Sequence, residues 1–391
     1  MVSKIELKYK KDIYDKNKSF VDIHVNQFKL SKNNLADVKK VLNDKNLINK
    51  IDKGYKDIIV SLKEDIFEKN NNSDKGFKLT PNILNEFETL DYNKRLNFLI
   101  HRYRYDVYPQ KYLIDKYPPY LQIEPTSFCN YRCVFCFQTN KNFTKRSNGF
   151  MGHMKLETFK LIVDKVINKV EFISLASRGD PLICRDIEKM LAYTNDKFLN
   201  LKINTNASLL NENKIHAILS SGVKTLVFSA DAADEKLYAK LRVNGDLKKV
   251  LKNIELFNKI KHNKYKNSKI ITRVSGVKVN DSQNFNKMRK FWGNLVDQVA
   301  FVDYCPWEDV YSQKVNTIKS PCSELWRRMY IWWDGKVNPC EVDFKSDLAV
   351  GNIFKNDLSD LWLSKGYNLL RKNHLNEERQ KSYPCSSCVV T

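Results

Sequence analysis

An α/β fold follows from two features of the sequence. Six apolar β-runs, at 120–124, 171–175, 199–204, 225–229, 270–277 and 298–302, alternate with amphipathic helical stretches such as 155–168, 212–220 and 248–260. Strand period and helix period in regular alternation predict βαβ units and a parallel sheet. Six units make a partial (β/α)6 TIM-like barrel, open where the closed form has eight strands. A less patterned N-terminal stretch precedes it, and a cysteine-rich unit with a hairpin signal follows. The expected division is an α/β accessory domain at 1–115, the barrel at 116–304, and a small β-hairpin/helix domain at 305–391.

In the first of these, Val21, Ile23 and Val25 alternate with Asp22, His24 and Asn26, the period of a half-buried strand. Residues 35–47 and 58–67 place apolar side chains at helical spacing, and the Asn-rich run 69–75 reads as a loop. The stretch 92–117 is dense in Tyr and Arg. Packing support and recognition of a substrate or partner both remain open for this region.

The first barrel strand leads into Cys129-Asn130-Tyr131-Arg132-Cys133-Val134-Phe135-Cys136. Thiolates at such short spacing wrap one metal centre, because each loop returns the chain to the same point. Three sulfurs suit a [4Fe–4S] cube with one iron left for a non-protein ligand. The alternative, a zinc knuckle, usually takes two C-x2-C pairs or a Cys/His mixture, and no histidine lies between Tyr120 and Cys136. Later strands end in polar groups: Ser177-Arg178-Gly179-Asp180-Pro181, then Asn204-Thr205-Asn206, then Ser229-Ala230-Asp231, with Arg242 following on a helix. In barrels of this kind chemistry gathers at the C-terminal strand ends. Taken singly, each is as well read as a cap or turn residue.

The C-terminal unit carries the second signal. Asp334-Gly335 between 329–333 and 336–340 is a strong hairpin turn, 348–354 adds a strand, and 359–370 reads as a helix. Cys322, Cys340, Cys385 and Cys388 frame it. Four thiolates close a site completely, and zinc and an iron–sulfur cluster fit equally well on spacing alone.

The C-x3-C-x-aromatic-C run after a first strand resembles the signature of the radical S-adenosylmethionine (SAM) enzymes. The resemblance implies Cys129, Cys133 and Cys136 as ligands of a [4Fe–4S] cluster whose open iron chelates SAM. It implies Phe135 beside the adenine, and Gly179, Asp180 and Pro181 at the amino group, with Asp180 standing where Glu is commoner. Ser229 and Arg242 would hold the SAM carboxylate, and Asn204 or Asp231 the ribose. A charge-assisted Arg–carboxylate bond suits such a cofactor. The arrangement Cys322, then Gly335-x4-Cys340, then Cys385-x2-Cys388 resembles the twitch form of the SPASM domain, which implies one auxiliary [4Fe–4S] cluster. Together these cover 120–388 and resemble the branch of dehydrogenases and epimerases acting on aminocyclitols and aminoglycosides.

Of the two remaining cysteines, Cys184 reads as a buried small hydrophobe. Cys305, just past the sixth strand near the barrel mouth, is either a packed thiol or a hydrogen-atom donor to a substrate radical. The expected activity is radical oxidation or epimerisation of a hydroxylated small molecule such as a sugar or cyclitol. Two competitors are modification of a peptide or protein, with 1–115 recognising it, and a non-enzymatic zinc- and RNA-binding protein.

Composition narrows the choice. No apolar run is long enough to span a bilayer and the charged start 1–11 lacks a signal-peptide core, so a cytoplasmic protein without a membrane is expected. Nine cysteines then favour metal or catalytic roles over disulfides. The net charge of +22 invites nucleic acid, but the lysines are scattered and no arginine-rich run or nucleic-acid module is present. A basic surface also suits an acidic flavodoxin- or ferredoxin-type electron donor.

Overall fold

The computed structural model describes residues 7, 13–18, 23–26, 31–68 and 75–391. Of the sequence expectations, Val21, the Asn run up to residue 74 and most of the start 1–11 lie outside them.

The strands, in chain order, are β1 (Ile23–Val25), β2 (Tyr120–Ile123), β3 (Arg132–Cys133), β4 (Phe172–Leu175), β5 (Asn200–Thr205), β6 (Val223–Ser229), β7 (Arg242–Val243), β8 (Ile271–Lys278), β9 (Gln298–Asp303), β10 (Arg328–Ile331), β11 (Lys336–Asn338) and β12 (Gly351–Asn352). One sheet runs β1-β9-β8-β6-β5-β4-β2-β10-β11-β12. Its centre, β2-β4-β5-β6-β8-β9, is parallel throughout, as the six βαβ units require. This is the open α/β barrel that the repeat predicts.

Side chains alternate along each strand. On β5, Leu201 and Ile203 face the helical layer and are buried in the core with Phe159, Ile162 and Val163 of the helix Leu156–Val166. Lys202 and Asn204 face the barrel interior, where both line its cavity.

Two junctions differ from the expected boundaries. The hairpin β10–β11 turns at Gly335, whose φ of +78° is left-handed backbone that glycine adopts without strain. Its first strand does not stay within the C-terminal unit: β10 pairs in parallel with β2, Arg328 opposite Tyr120 and Ile331 opposite Ile123, so the sheet continues past the barrel. The stretch 348–354 shrinks to the two residues of β12, and 359–370 divides into helices Leu358–Trp362 and Lys365–Leu375, broken where Ser364 caps the second.

The N-terminal region has no sheet of its own among the described residues. β1 joins the barrel edge, antiparallel to β9, and the rest is helical: Lys32–Asn43, Lys45–Ile48, Lys56–Lys63, Pro81–Thr89 and Arg95–Asp106. The last two helices close the N-terminal end of the barrel. His101 stacks on Phe172 at 3.3 Å, Phe98 lies 5.9 Å from the same ring, and Glu86 pairs with Arg273 of β8 at 3.0 Å. Among the described residues no helix is long and apolar enough to cross a membrane.

Candidate functional site

Glu124 ends β2, and the chain then turns through Thr126 and Ser127 into the cysteine loop. Thr126 Oγ1 accepts from Phe128 N–H at 3.1 Å, and Arg132 Nη1 donates to the carbonyls of Cys129 and Tyr131 at 2.7 and 2.8 Å. These bonds fix a loop that has little regular structure of its own. A Cβ on Gly179 would stand 2.3 Å from the Phe128 carbonyl oxygen, so only glycine lets the second strand's loop pack against the first. Gly179→Ala is therefore expected to cost about 1–3 kcal/mol and to lower iron loading at the N-terminal cysteines, checked by thermal melting and iron assay of the same preparation.

β3 carries Cys133 into register with Arg242 of β7. Arg242 thus sits in this short strand just past the helix Glu235–Leu241, rather than on a helix as expected. Its Nη1 is 3.8 Å from Cys133 Sγ, and its guanidinium lies 6.0 Å from the Phe135 ring. Asp231, fully buried, stands 2.6 Å behind it, off the hydrogen-bonding line, and accepts from Val277 N–H at 2.7 Å. Burial pushes the Asp231 carboxyl up while Arg242 pulls it down. Asp231 thereby orients Arg242, with one oxygen bonded to backbone and the other facing the guanidinium.

Asp180 has a comparable internal role. It accepts from Asn206 N–H at 2.7 Å, from Thr205 Oγ1 at 3.0 Å and from Leu182 N–H at 3.0 Å, tying the ends of β4 and β5 together. Pro181 opens the short helical turn that Asp180 caps. Asn206 also donates toward Cys129 Sγ at 4.0 Å. By contrast, Asn204 Oδ1 and Ser177 Oγ are buried atoms without a hydrogen-bond partner. Ser177 is held at φ +138°, sparsely populated backbone for a side-chain-bearing residue. Ser177, Asn204, Ser229 and Arg242 line the same cavity of about 900 Å3 as the three cysteines.

The second cysteine set meets at the chain end. Arg379, 1% exposed, donates to the carbonyls of Ser320, Cys385, Cys388 and Val390 and so folds the C-x2-C end back on itself. Val342 N–H points at Cys340 Sγ at 3.3 Å, and Val390 N–H at Cys388 Sγ at 3.5 Å. Residues 14–16 brace this end, with Tyr14 N–H bonded to Val389 O and Lys16 N–H to Thr391 O, both at 2.9 Å.

The nine cysteines are all free. Burial pushes the Cys129 thiol up to about 12, and the Cys133 and Cys136 thiols up as well, with neighbouring thiols adding to the effect at Cys129 and Cys136. Cys340 and Cys385 are likewise raised by burial and then by the other thiols of their set. Such groups stay protonated unless a metal centre takes the thiolates, whereupon they release protons. Among the described residues no group of three His, Cys, Asp or Glu closes on a point that would hold a single metal ion. In a cubane cluster each thiolate instead takes its own iron. Three thiols, one buried and two half-buried, with Arg242 beside Cys133 and unpartnered polar atoms on the adjoining wall, fit a cluster with a polar ligand at its open side.

Cys305 lies in the core cluster that holds Cys322, with Cys340 and Cys388 packed against it, and it also lines the cavity. Cys184 is buried, its Sγ 4.0 Å from Met190 Sδ.

A profile of the radical SAM superfamily matches residues 123–283. A profile of the iron–sulfur cluster-binding SPASM domain matches residues 322–389. The chain carries a radical SAM domain followed by a SPASM domain. It therefore takes SAM and a [4Fe–4S] cluster, with further iron–sulfur in the C-terminal domain. The GTP 3′,8-cyclase of Clostridium botulinum is 30% identical over 175 residues, covering 43% of this chain and 52% of that protein. The chain thus spans about half the length of the curated relatives it matches. The Streptococcus suis SuiB structure with bound SAM shares the fold, at 18% identity and a TM-score of 0.54, over 92% of this chain and 87% of that one. The BtrN structure with AdoMet and 2-DOIA matches at 17% identity and a TM-score of 0.47, over 71% of this chain and 94% of that one.

Proposed function

We propose that this protein is a radical SAM oxidoreductase that oxidises or epimerises a hydroxylated small molecule of the sugar or cyclitol kind. The observation that carries it is one continuous cavity, about 900 Å3, walled by Cys129, Cys133 and Cys136 at one place and by Cys340 and Cys305 at another. Volumes of this order suit a small-molecule ligand. The helices Pro81–Thr89 and Arg95–Asp106 close its far end.

When bound, the cofactors supply a one-electron reductant, a 5′-deoxyadenosyl radical that takes hydrogen from a carbinol carbon, and an electron sink in the C-terminal domain. Cys129, Cys133 and Cys136 hold the N-terminal cluster in this reading, and Cys322, Cys340, Cys385 and Cys388 the auxiliary one. Arg242, oriented by Asp231, meets the SAM carboxylate together with Ser229. Asn204 Oδ1 and Ser177 Oγ accept from SAM hydroxyl or ammonium groups, and Phe135 flanks the adenine. Asp180 and Gly179 act by holding the strand ends together. An acidic flavodoxin- or ferredoxin-type donor reduces the protein in the cytoplasm.

Anaerobically reconstituted protein, given dithionite, SAM and a panel of polyols and amino sugars, is expected to release 5′-deoxyadenosine together with a ketone or an epimer. Turnover of peptides alone would overturn the substrate class. Cys305→Ala at unchanged iron content separates the two outcomes. It abolishes an epimerase, which needs a thiol hydrogen from the opposite face, and spares a dehydrogenase; product and iron are read on the same sample.

A further inference from the structure

The interior face of β5 carries a cation that the reaction above does not use. Lys202 points into the cavity two residues before Asn204, about 7 Å deeper along the strand. Its neighbours are cationic too, but each of those has an acid. Arg273 pairs with Glu86 at 3.0 Å, Arg102 with Asp106 at 2.8 Å, and Arg327 and Arg328 share Glu324 at 3.0 and 3.9 Å. Among the described residues no carboxylate lies within salt-bridge reach of Lys202. With Lys16 and Glu341, which pair at 3.9 Å, six cations face four carboxylates across this part of the cavity wall, an excess of two.

The geometry concentrates the excess. Lys202 Nζ and the Arg328 guanidinium stand 5.8 and 5.0 Å from the centre of one ring, that of Tyr120. Burial, then the charges of Arg328 and Arg273, bring the Lys202 ammonium down to about 8. A desolvated cation beside two arginines is costly, and an anion that meets it offsets the cost. A lysine whose stem merely covered apolar surface would carry its ammonium out to bulk water. Lys202 instead holds it inside the barrel.

We propose that Lys202, flanked by Arg328 and Arg273, is a subsite for an anionic group of the substrate, a phosphate or a carboxylate. This rests on the barrel cavity being the substrate site and narrows the substrate to an acidic or phosphorylated hydroxylated molecule. The anion lies toward the closed end of the barrel and the reacting carbon toward the cysteines, so the charge sets which carbon faces the SAM side.

The test uses the reconstituted 391-residue chain saturated with SAM, which fills the Arg242 region. Inorganic phosphate and glucose 6-phosphate are titrated calorimetrically, with glucose as the neutral control. Both anions are expected to bind more tightly than glucose, and Lys202→Met to weaken them at least about tenfold, one charge-assisted hydrogen bond in magnitude. Lys202→Arg should retain binding, and it keeps the test informative if the methionine variant fails to fold. Equal anion binding by wild type and Lys202→Met, or none by wild type, overturns the subsite. SAM cleavage with turnover of a neutral polyol independent of Lys202 also overturns it while leaving the reaction class standing. Lys202-dependent phosphate binding in a protein that cleaves no SAM supports the subsite and removes the reaction class instead.

Discussion

Replacing Cys129, Cys133 and Cys136 together by alanine is expected to abolish SAM cleavage and to halve the iron, from about eight to about four per chain, the content of two [4Fe–4S] clusters and of one. The two thiol sets are built by separate parts of the fold. The first hangs on the loop after β2, braced by Arg132 and Gly179. The second is folded by Arg379 at the chain end. Loss of one should therefore leave the other loaded. The reciprocal variant, Cys322, Cys340, Cys385 and Cys388→Ser, should also lose about four irons but keep forming 5′-deoxyadenosine, while the oxidised product disappears. Iron and sulfide assays with Mössbauer spectra check both. Zinc in either set, or iron unchanged in the first variant, would remove the cluster assignment and the radical chemistry with it.

Much of this was legible in the sequence because local spacing carries it. The six strands fall where apolar runs predict them, and the Cys129 to Cys136 loop lies at the first strand's end. A three-cysteine spacing is a local property, fixed by loop closure before any tertiary contact forms. What stayed hidden depends on partners far apart in sequence. In the sequence Asp231 and Arg242 read as separate contacts to SAM, and only folding brings the one behind the other at 2.6 Å. The parallel pairing of β10 with β2 joins residues about two hundred apart, and no periodicity announces it. Lys202 did leave a trace: it alternates with Leu201 and Ile203 on a barrel strand, which puts a charge on the interior face. Its importance appears only when the carboxylates of the other cations are located.

The same long-range logic makes the pair Glu124–Arg178 a second place for a large effect. Glu124 is fully buried and Arg178 3% exposed, and they meet in a fork, Nε to Oε2 at 2.7 Å and Nη2 to Oε1 at 2.6 Å. The remaining Arg178 donor reaches the Phe344 carbonyl at 2.9 Å, and its guanidinium lies 4.4 Å from the Trp332 ring. Glu124 also receives Trp333 N–H at 3.3 Å. One ion pair therefore joins the end of β2, the Gly179 loop and the cluster-binding domain. Glu124→Ala leaves an arginine buried without its partner, and such truncations cost about 3–5 kcal/mol. Replacing both members, Glu124→Leu with Arg178→Met, removes the stranded charge and should recover most of that loss. Urea midpoints at a constant slope measure the difference. Because the pair spans both cysteine regions, Glu124→Ala is expected to lower iron at both together, unlike the separable cysteine variants. A Glu124→Ala protein within about 1 kcal/mol of wild type, the range of an exposed pair, would mean that water reaches Arg178 and that the two domains are held by other contacts.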